Sequence, residues 1–229
     1  MNSHTEILED HGKAMDRMYR LQRHFYDASR RYYLLGRDSL LDELQPPPGG
    51  SILEVGCGTG RNLAGAATRY GHARLFGIDI SQEMLKSALA TMQRRFARNR
   101  VTFACVDATS FDPARCLGEV TFDRIYFSYT LSMVPQWKAA LTHAHSLLGP
   151  EGELHIVDFG QCESLPQTFR KFLFRWLDAF HVSPRADLRA ALIALAATSG
   201  SEVQFKSRYR GYVWQAAIKR SARPQALAP

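Results

Sequence analysis

No run of about 18 apolar residues, the length that spans a bilayer, occurs anywhere in this 229-residue chain. The most apolar segment, LRAALIALAATSG at 188–200, is short and Ala-rich. Cysteine is scarce: Cys57, Cys105, Cys116 and Cys162 lie far apart and form no CxxC pair, which argues against structural zinc and against a disulfide framework. The opening residues, MNSHTEILEDHGK, hold acids and no apolar core segment, so no secretory signal is expected and a reduced, cytoplasmic setting is. His143 and His145 sit two apart on an expected helix and face different ways, a poor arrangement for a metal; none is expected. No internal repeat is found.

What is present is ordinary for a folded protein: 45% hydrophobic and 22% charged residues, enough for one large domain with a core. The net charge of +7 permits nucleic acid, anionic membrane or acidic metabolites as partners and selects none of them. Residues 5–44 have helical apolar spacing through Met15, Met18, Tyr19, Phe25, Tyr26, Leu40, Leu41 and Leu44. Within this arm, residues 13–37 carry one Lys and six Arg against two Asp. PPPGG at 46–50 ends it. The expected organisation is an arm over 1–45 that covers a site, a main domain over 50–220 and a flexible tail over 221–229.

From residue 51 strands alternate with helices. Strands are expected at 51–55, 74–80, 101–108, 122–130 and 153–160, and helices at 61–71, 81–97 and 134–152, with Ser81 as an N-cap. Helices at 164–182 and 183–200 follow, then two strands over 202–220 turning at Gly211. In the first of these helices Leu165, Phe169, Phe172, Leu173, Trp176, Leu177 and Phe180 share one face. The pattern predicts an α/β fold: a Rossmann-like, seven-stranded, mainly parallel sheet with one antiparallel strand and helices on both faces.

The stretch ILEVGCGTGRNL at 52–63 places glycines at 56, 58 and 60. Arg61 stands where a dinucleotide fingerprint needs its third glycine, and Arg61-Asn62 does not complete a P-loop. Neither pyrophosphate reader fits. Asp79 closes the second strand, where an acid can accept from a ribose diol. Asp107-Ala108 ends the third, where an acid and a backbone N–H can read an adenine edge. Adenosine recognition without phosphate recognition points to S-adenosyl-L-methionine.

The residues Glu54-Val55-Gly56-Cys57-Gly58-Thr59-Gly60, Asp79 and Asp107 together resemble motifs I to III of the class I methyltransferases over roughly residues 50–160. The resemblance implies that Gly56 and Gly58 lie against the cofactor, that Asp79 holds the ribose hydroxyls, that Ile80 and Met84 line the adenine and that Asp107 meets its amino group. It also places Glu54, Cys57, Asn62 and Ala108 in the cofactor site. Residues 24–44, and YYLLGRD in particular, resemble the bacterial betaine-lipid methyltransferases, which trimethylate the amine of diacylglyceryl-homoserine. The implied partners are a lipid amine and an anionic membrane surface, met peripherally. Phosphatidylethanolamine, a soluble amine, a quinone precursor and a non-catalytic binding role stay open. Nucleic acid is disfavoured, because SYTL stands where a base-amine Asn/Asp-Pro-Pro-Tyr/Phe motif would be.

Arg37 is a candidate clamp for the methionine carboxylate, and Tyr26 and Tyr33 candidates to roof the site. Tyr129 is the first candidate to orient the acceptor amine and take up its proton, and Asp158 the second. Both lie at the carboxyl ends of strands, where open α/β sheets place ligands. Arg170, Lys171 and Arg175 beside Phe and Trp give the 164–182 segment interfacial character, but the favoured expectation is that its apolar face packs on the sheet, as a fold of this kind needs covering helices.

Overall fold

The structure, a computed structural model, describes residues 33–96 and 101–220. Its elements are α1 (Arg37–Glu43), β1 (Ser51–Val55), α2 (Arg61–Arg69), β2 (Arg74–Asp79), α3 (Gln82–Arg95), β3 (Val101–Cys105), α4 (Pro113–Leu117), β4 (Phe122–Ser128), α5 (Trp137–Ser146), β5 (Leu148–Phe159), α6 (Gln167–Asp178), α7 (Leu188–Ser199), β6 (Glu202–Arg208) and β7 (Val213–Lys219).

The strands form one seven-stranded sheet in the order β3-β2-β1-β4-β5-β7-β6. The first five are parallel, and β7 runs antiparallel to both β5 and β6. Burial follows position. The central SILEV strand is buried at every residue, as a strand covered on both faces must be, while the edge strand β6 alternates with solvent. One apolar cluster joins α1, α2 and α6 to one face of the sheet, and a second packs α5 and α7 on the other. The strand order reverses between β1 and β4. That switch point opens a crevice at the carboxyl ends of the strands.

Short sequence signals account for the helix ends. Ser81 caps α3 by accepting from the Met84 N–H, and Asp112 caps α4 ahead of a proline in the first turn. Helix α1 starts after Gly36, whose φ of +81° only glycine adopts without strain. It docks on α2 through the Tyr70 hydroxyl, which donates to the Leu41 carbonyl at 2.7 Å, and through Arg69, paired with Asp42 and Asp38.

Three expectations are corrected. The helix expected to 152 ends at Ser146, and β5 begins at Leu148. Phe122 pairs with Leu148 and Arg124 with Glu153, so a bulge in β5 absorbs Gly149, Pro150 and neighbours. The third strand stops at Cys105, because Asp107 and Thr109 close a turn there. On α6, Leu173 and Leu177 are buried, but Phe169 and Phe172 are 42% and 71% exposed; the apolar face is wider than the core it covers. Among the described residues no helix is long and apolar enough to cross a membrane.

Candidate active site

The glycine loop leaves β1 and is pinned to β2 by the Gly56 and Cys57 N–H groups, which share the Ile78 carbonyl at 2.9 Å each. Gly56, Gly58 and Gly60 all have positive φ, at +72°, +52° and +74°. Their surroundings differ. A Cβ on Gly56 would stand 2.4 Å from Thr130 Cγ2, and one on Gly60 3.0 Å from the Ala88 backbone. At Gly58 a Cβ would meet nothing within 4 Å. The first and third glycines therefore admit protein: the β4–α5 loop and α3. Only the middle one turns its Cα to open space. Thr130 thus fills the space that any side chain at position 56 would need.

Asp79 braces this loop. One carboxylate oxygen accepts the Gly58 N–H at 2.8 Å and the other the Ser81 N–H at 2.9 Å. The two N–H groups fix the orientation of the carboxylate at the end of β2. Ile80 follows at the rim, half-buried, and Met84 is buried in the first turn of α3. Asp107 accepts from the N–H and hydroxyl of Thr109, at 3.0 and 2.6 Å. That turn brings half-buried Ala108 to the end of β3. The structure thus gathers Gly58, Asp79, Ile80, Asp107 and Ala108 at the carboxyl ends of three adjacent strands.

Beneath the loop Glu54 is buried. Asn62, in the first turn of α2, donates to Glu54 Oε1 at 2.8 Å. Oε2 and the neighbouring Tyr126 hydroxyl have no hydrogen-bond partner of good geometry. Burial pushes the Glu54 carboxyl up to about 8, against the pull of Asn62, Tyr126 and Arg37 and with a push from Asp79. Cys57 is also buried, and desolvation raises its thiol well above the usual range, so it is an inert packing residue. Arg37 donates from Nε to the Leu34 carbonyl at 3.2 Å, and its charge acts on both Glu54 and Tyr129. Arg37 is thus near enough to Glu54 and Tyr129 for its charge to be felt by both. Tyr26 lies outside the described residues.

The other half of the crevice is aromatic. Tyr33, Tyr129, Phe159, Trp176 and Phe180 surround a small apolar cavity with Met133 and Val182. Tyr33 meets Trp176 edge-on at 4.9 Å, and Tyr129 meets Phe159 at 4.7 Å. Among these lining residues there is no charged side chain. Its volume, about 10 Å³, suits one water-sized group, so a larger guest requires a ring such as Trp176 to turn. Thr130, the residue after cavity-lining Tyr129, stands where a Cβ on Gly56 would be.

Tyr129 and Asp158 are placed here but are already engaged. The Tyr129 hydroxyl donates to the Leu35 carbonyl at 2.6 Å, and burial raises its pKa well above the tyrosine range. It latches the arm to the sheet from a left-handed backbone position, φ +57°. Tyr212 does the same to the Tyr33 carbonyl at 3.0 Å. Asp158 accepts the Ser132 N–H at 3.0 Å and the Phe159 N–H at 2.8 Å. Burial carries its carboxyl up to about 6. Asp158 thereby anchors the 129–134 loop, with help from Arg185, which donates to the Leu131 and Val134 carbonyls.

Sequence reasoning missed Thr130, Phe159 and the α6 rings as site walls. Only the position of Phe159 next to Asp158, at a strand's carboxyl end, was a usable signal. Among the described residues no cluster of His, Cys, Asp or Glu suits a metal.

Residues 52–152 match the methyltransferase domain family. A ubiquinone/menaquinone biosynthesis C-methyltransferase of Desulfotalea psychrophila is 25% identical over 213 residues, covering 90% of this chain and 82% of its own. An O-methyltransferase of Pyrenophora dematioidea is 28% identical over 62% of this chain and 51% of its own. The chain spans about half the length of that relative and of others similarly matched. A solved structure from Thermotoga maritima, described as a SAM-dependent methyltransferase and possible histamine N-methyltransferase, superposes with a TM-score of 0.63 over 90% of this chain and 99% of its own, at 17% identity. Strand order and crevice agree with these likenesses: residues 52–152 match the methyltransferase domain family, and the fold is the Rossmann-like one of the solved methyltransferases.

Proposed function

We propose that the chain is an S-adenosylmethionine-dependent N-methyltransferase acting on an amphiphilic amine. On the resemblance of its arm, that amine is the one of diacylglyceryl-homoserine, trimethylated to the betaine lipid. The observation that carries the reading is the aromatic cavity adjoining the glycine loop across Thr130. A cavity walled by aromatic rings favours a cation with apolar substituents, which a methylated ammonium is.

The residues present fit the cofactor: open space over Gly58, an aimed carboxylate at Asp79 and a buried, half-satisfied carboxylate at Glu54. When bound, S-adenosylmethionine supplies a methyl group activated by a sulfonium. Asp79 holds a ribose diol, Asp107 and Ala108 meet the adenine edge, and Ile80 and Met84 flank its faces. Arg37 clamps the carboxylate of the methionine part while Glu54 and Asn62 underlie it. Positioning then supplies most of the acceleration. Tyr129 and Asp158 act as positioning residues: the first keeps the arm over the cavity, the second fixes the loop between cavity and cofactor. The amine arrives neutral, its proton passes to solvent, and the rings stabilise the ammonium that forms.

A second reading is methylation of a quinone precursor at carbon. The 90% coverage by a relative named for that chemistry favours it. Incubation with labelled S-adenosylmethionine and a lipid extract, followed by mass spectrometry, separates the two. Label in a trimethylammonium lipid supports N-methylation; label on an aromatic ring carbon supports the second reading. Cofactor binding with no turnover on any extract leaves a binding role.

A further inference from the structure

Helix α6 has an apolar arc that its own core contact uses only in part. At 100° per residue, Leu173 and Leu177 point inward and are buried, and Trp176 and Phe180 lie beside them, lining the aromatic cavity. Phe172 and Phe169 continue the same arc into solvent, 71% and 42% exposed. Arg175 borders the exposed edge at Phe172, Lys171 lies on the outer face beyond it, and Arg170 sits at the opposite edge of the arc, 5.4 Å from the centroid of the Phe174 ring; all three are exposed.

The β6–β7 turn extends this surface. Ser164, just ahead of α6, donates its N–H to the Arg210 carbonyl at 3.2 Å, and Cys162 donates to Gly211 at 2.8 Å. The turn is therefore held at the foot of the helix. Tyr209, Arg210 and Gly211 all have positive φ, and Tyr209 is 54% exposed. Two acids lie close by in sequence, Glu163 and Asp178. Glu163 turns one oxygen inward to accept from Trp214 Nε1 at 2.8 Å.

From this juxtaposition we infer that the α6 outer face and the β6–β7 turn form a docking surface for an anionic lipid bilayer. Exposed aromatic side chains with Arg and Lys on the same helix and Arg210 on the adjoining turn match the interface of a negatively charged membrane: the rings enter the headgroup boundary and the cations stay at its surface. A second copy of this chain is disfavoured, because a two-fold contact through this patch would set its cations against one another. The inner side of the same helix walls the cavity. A lipid delivered at Phe172 is thus one helix away from the proposed acceptor site. The inference deepens the lipid-amine reading by naming where the lipid arrives, and its test reads binding rather than turnover.

The experiment is co-flotation of the full chain with vesicles of equal parts phosphatidylglycerol and phosphatidylcholine, against phosphatidylcholine alone. Wild type partitions at least about tenfold better to the anionic vesicles at low salt and loses that preference as salt rises. Phe169→Ser with Phe172→Ser, and separately Arg170→Glu with Lys171→Glu and Arg175→Glu, each abolish most of this binding. Both variants keep the wild-type melting temperature and affinity for S-adenosylhomocysteine, which shows that they fold. Anionic-vesicle binding unchanged in both folded variants overturns the inference, as does no flotation of wild type. So does self-association in light scattering that the Phe substitutions remove while vesicles are ignored. Vesicle binding without methylation of any lipid leaves the surface in place and removes the acceptor reading.

Discussion

The two halves of the crevice are built on different principles. On the β1–β3 side, short turns hold carboxylates by backbone N–H groups: Gly58 and Ser81 on Asp79, and Thr109 on Asp107. On the β4–β5 side, side chains hold backbone carbonyls of the arm: Tyr129 on Leu35 and Tyr212 on Tyr33. The first half is assembled from turns held by backbone N–H groups at the ends of neighbouring strands. The second is assembled from segments remote in sequence, joined by side chains of the sheet to the arm and walled by α6. A half held by backbone turns suits a cofactor common to many enzymes, and a half walled by side chains suits the acceptor that distinguishes one from another.

The sharpest way to break this contrast lies within the glycine loop. Gly56→Val drives a branched side chain into Thr130, and we expect a loss of stability of about 3 kcal/mol or more, from overpacking and a forbidden φ together. Gly58→Ala meets no atom. It costs only the strain of a positive φ, about 1–2 kcal/mol, yet weakens S-adenosylhomocysteine binding at least about tenfold, or 1.4 kcal/mol. Thermal melts and calorimetry read the two quantities separately. Equal stability losses with equal binding losses would erase the distinction between a packing glycine and a binding one.

Next in size is the effect of Trp176→Ala. It removes a ring from the acceptor half, so KM for the acceptor rises about tenfold, a change of 1.4 kcal/mol, while cofactor affinity holds. Steady-state kinetics varied in each substrate tests it. Tyr129→Phe deletes the arm latch and leaves a carbonyl short of a donor, costing about 1–2 kcal/mol. If Tyr129 acts as a latch, as proposed, kcat keeps its wild-type pH profile. A lost basic limb in that profile would restore a proton-acceptor role.

A further effect is on pH. Glu54 is raised from 4.5 to about 8 and Asp158 from 3.8 to about 6 in the folded state. Between each pair of values the unfolded chain has lost a proton that the folded chain keeps. The stability these two groups contribute therefore falls as pH rises from about 4 to 8, and ceases to fall above it. Glu54→Gln flattens the part of the slope above pH 6 and leaves Asp158's part below. Denaturant midpoints across this range check it.

Much of the first half was legible in the sequence, because turn chemistry is local. Ser81 caps α3 as expected, and Asp79 and Asp107 close their strands within a few residues of where the pattern puts them. The difference between Gly56 and Gly58 was not legible, since it depends on Thr130, which the fold brings in from β4. Nor was the bulge at the start of β5, where pairing with β4 overrides a helical apolar spacing. Periodicity located the apolar arc of α6 but not which part the core takes; that depends on how the helix lies on Tyr33, Tyr129 and Phe159.

The most direct test of the whole account is calorimetric titration of the protein with S-adenosylhomocysteine, NAD and ATP in parallel. The account predicts one-to-one binding of the first, lost in Gly58→Ala, and none of the other two. Binding of NAD or ATP at that loop, or no binding of S-adenosylhomocysteine, contradicts it.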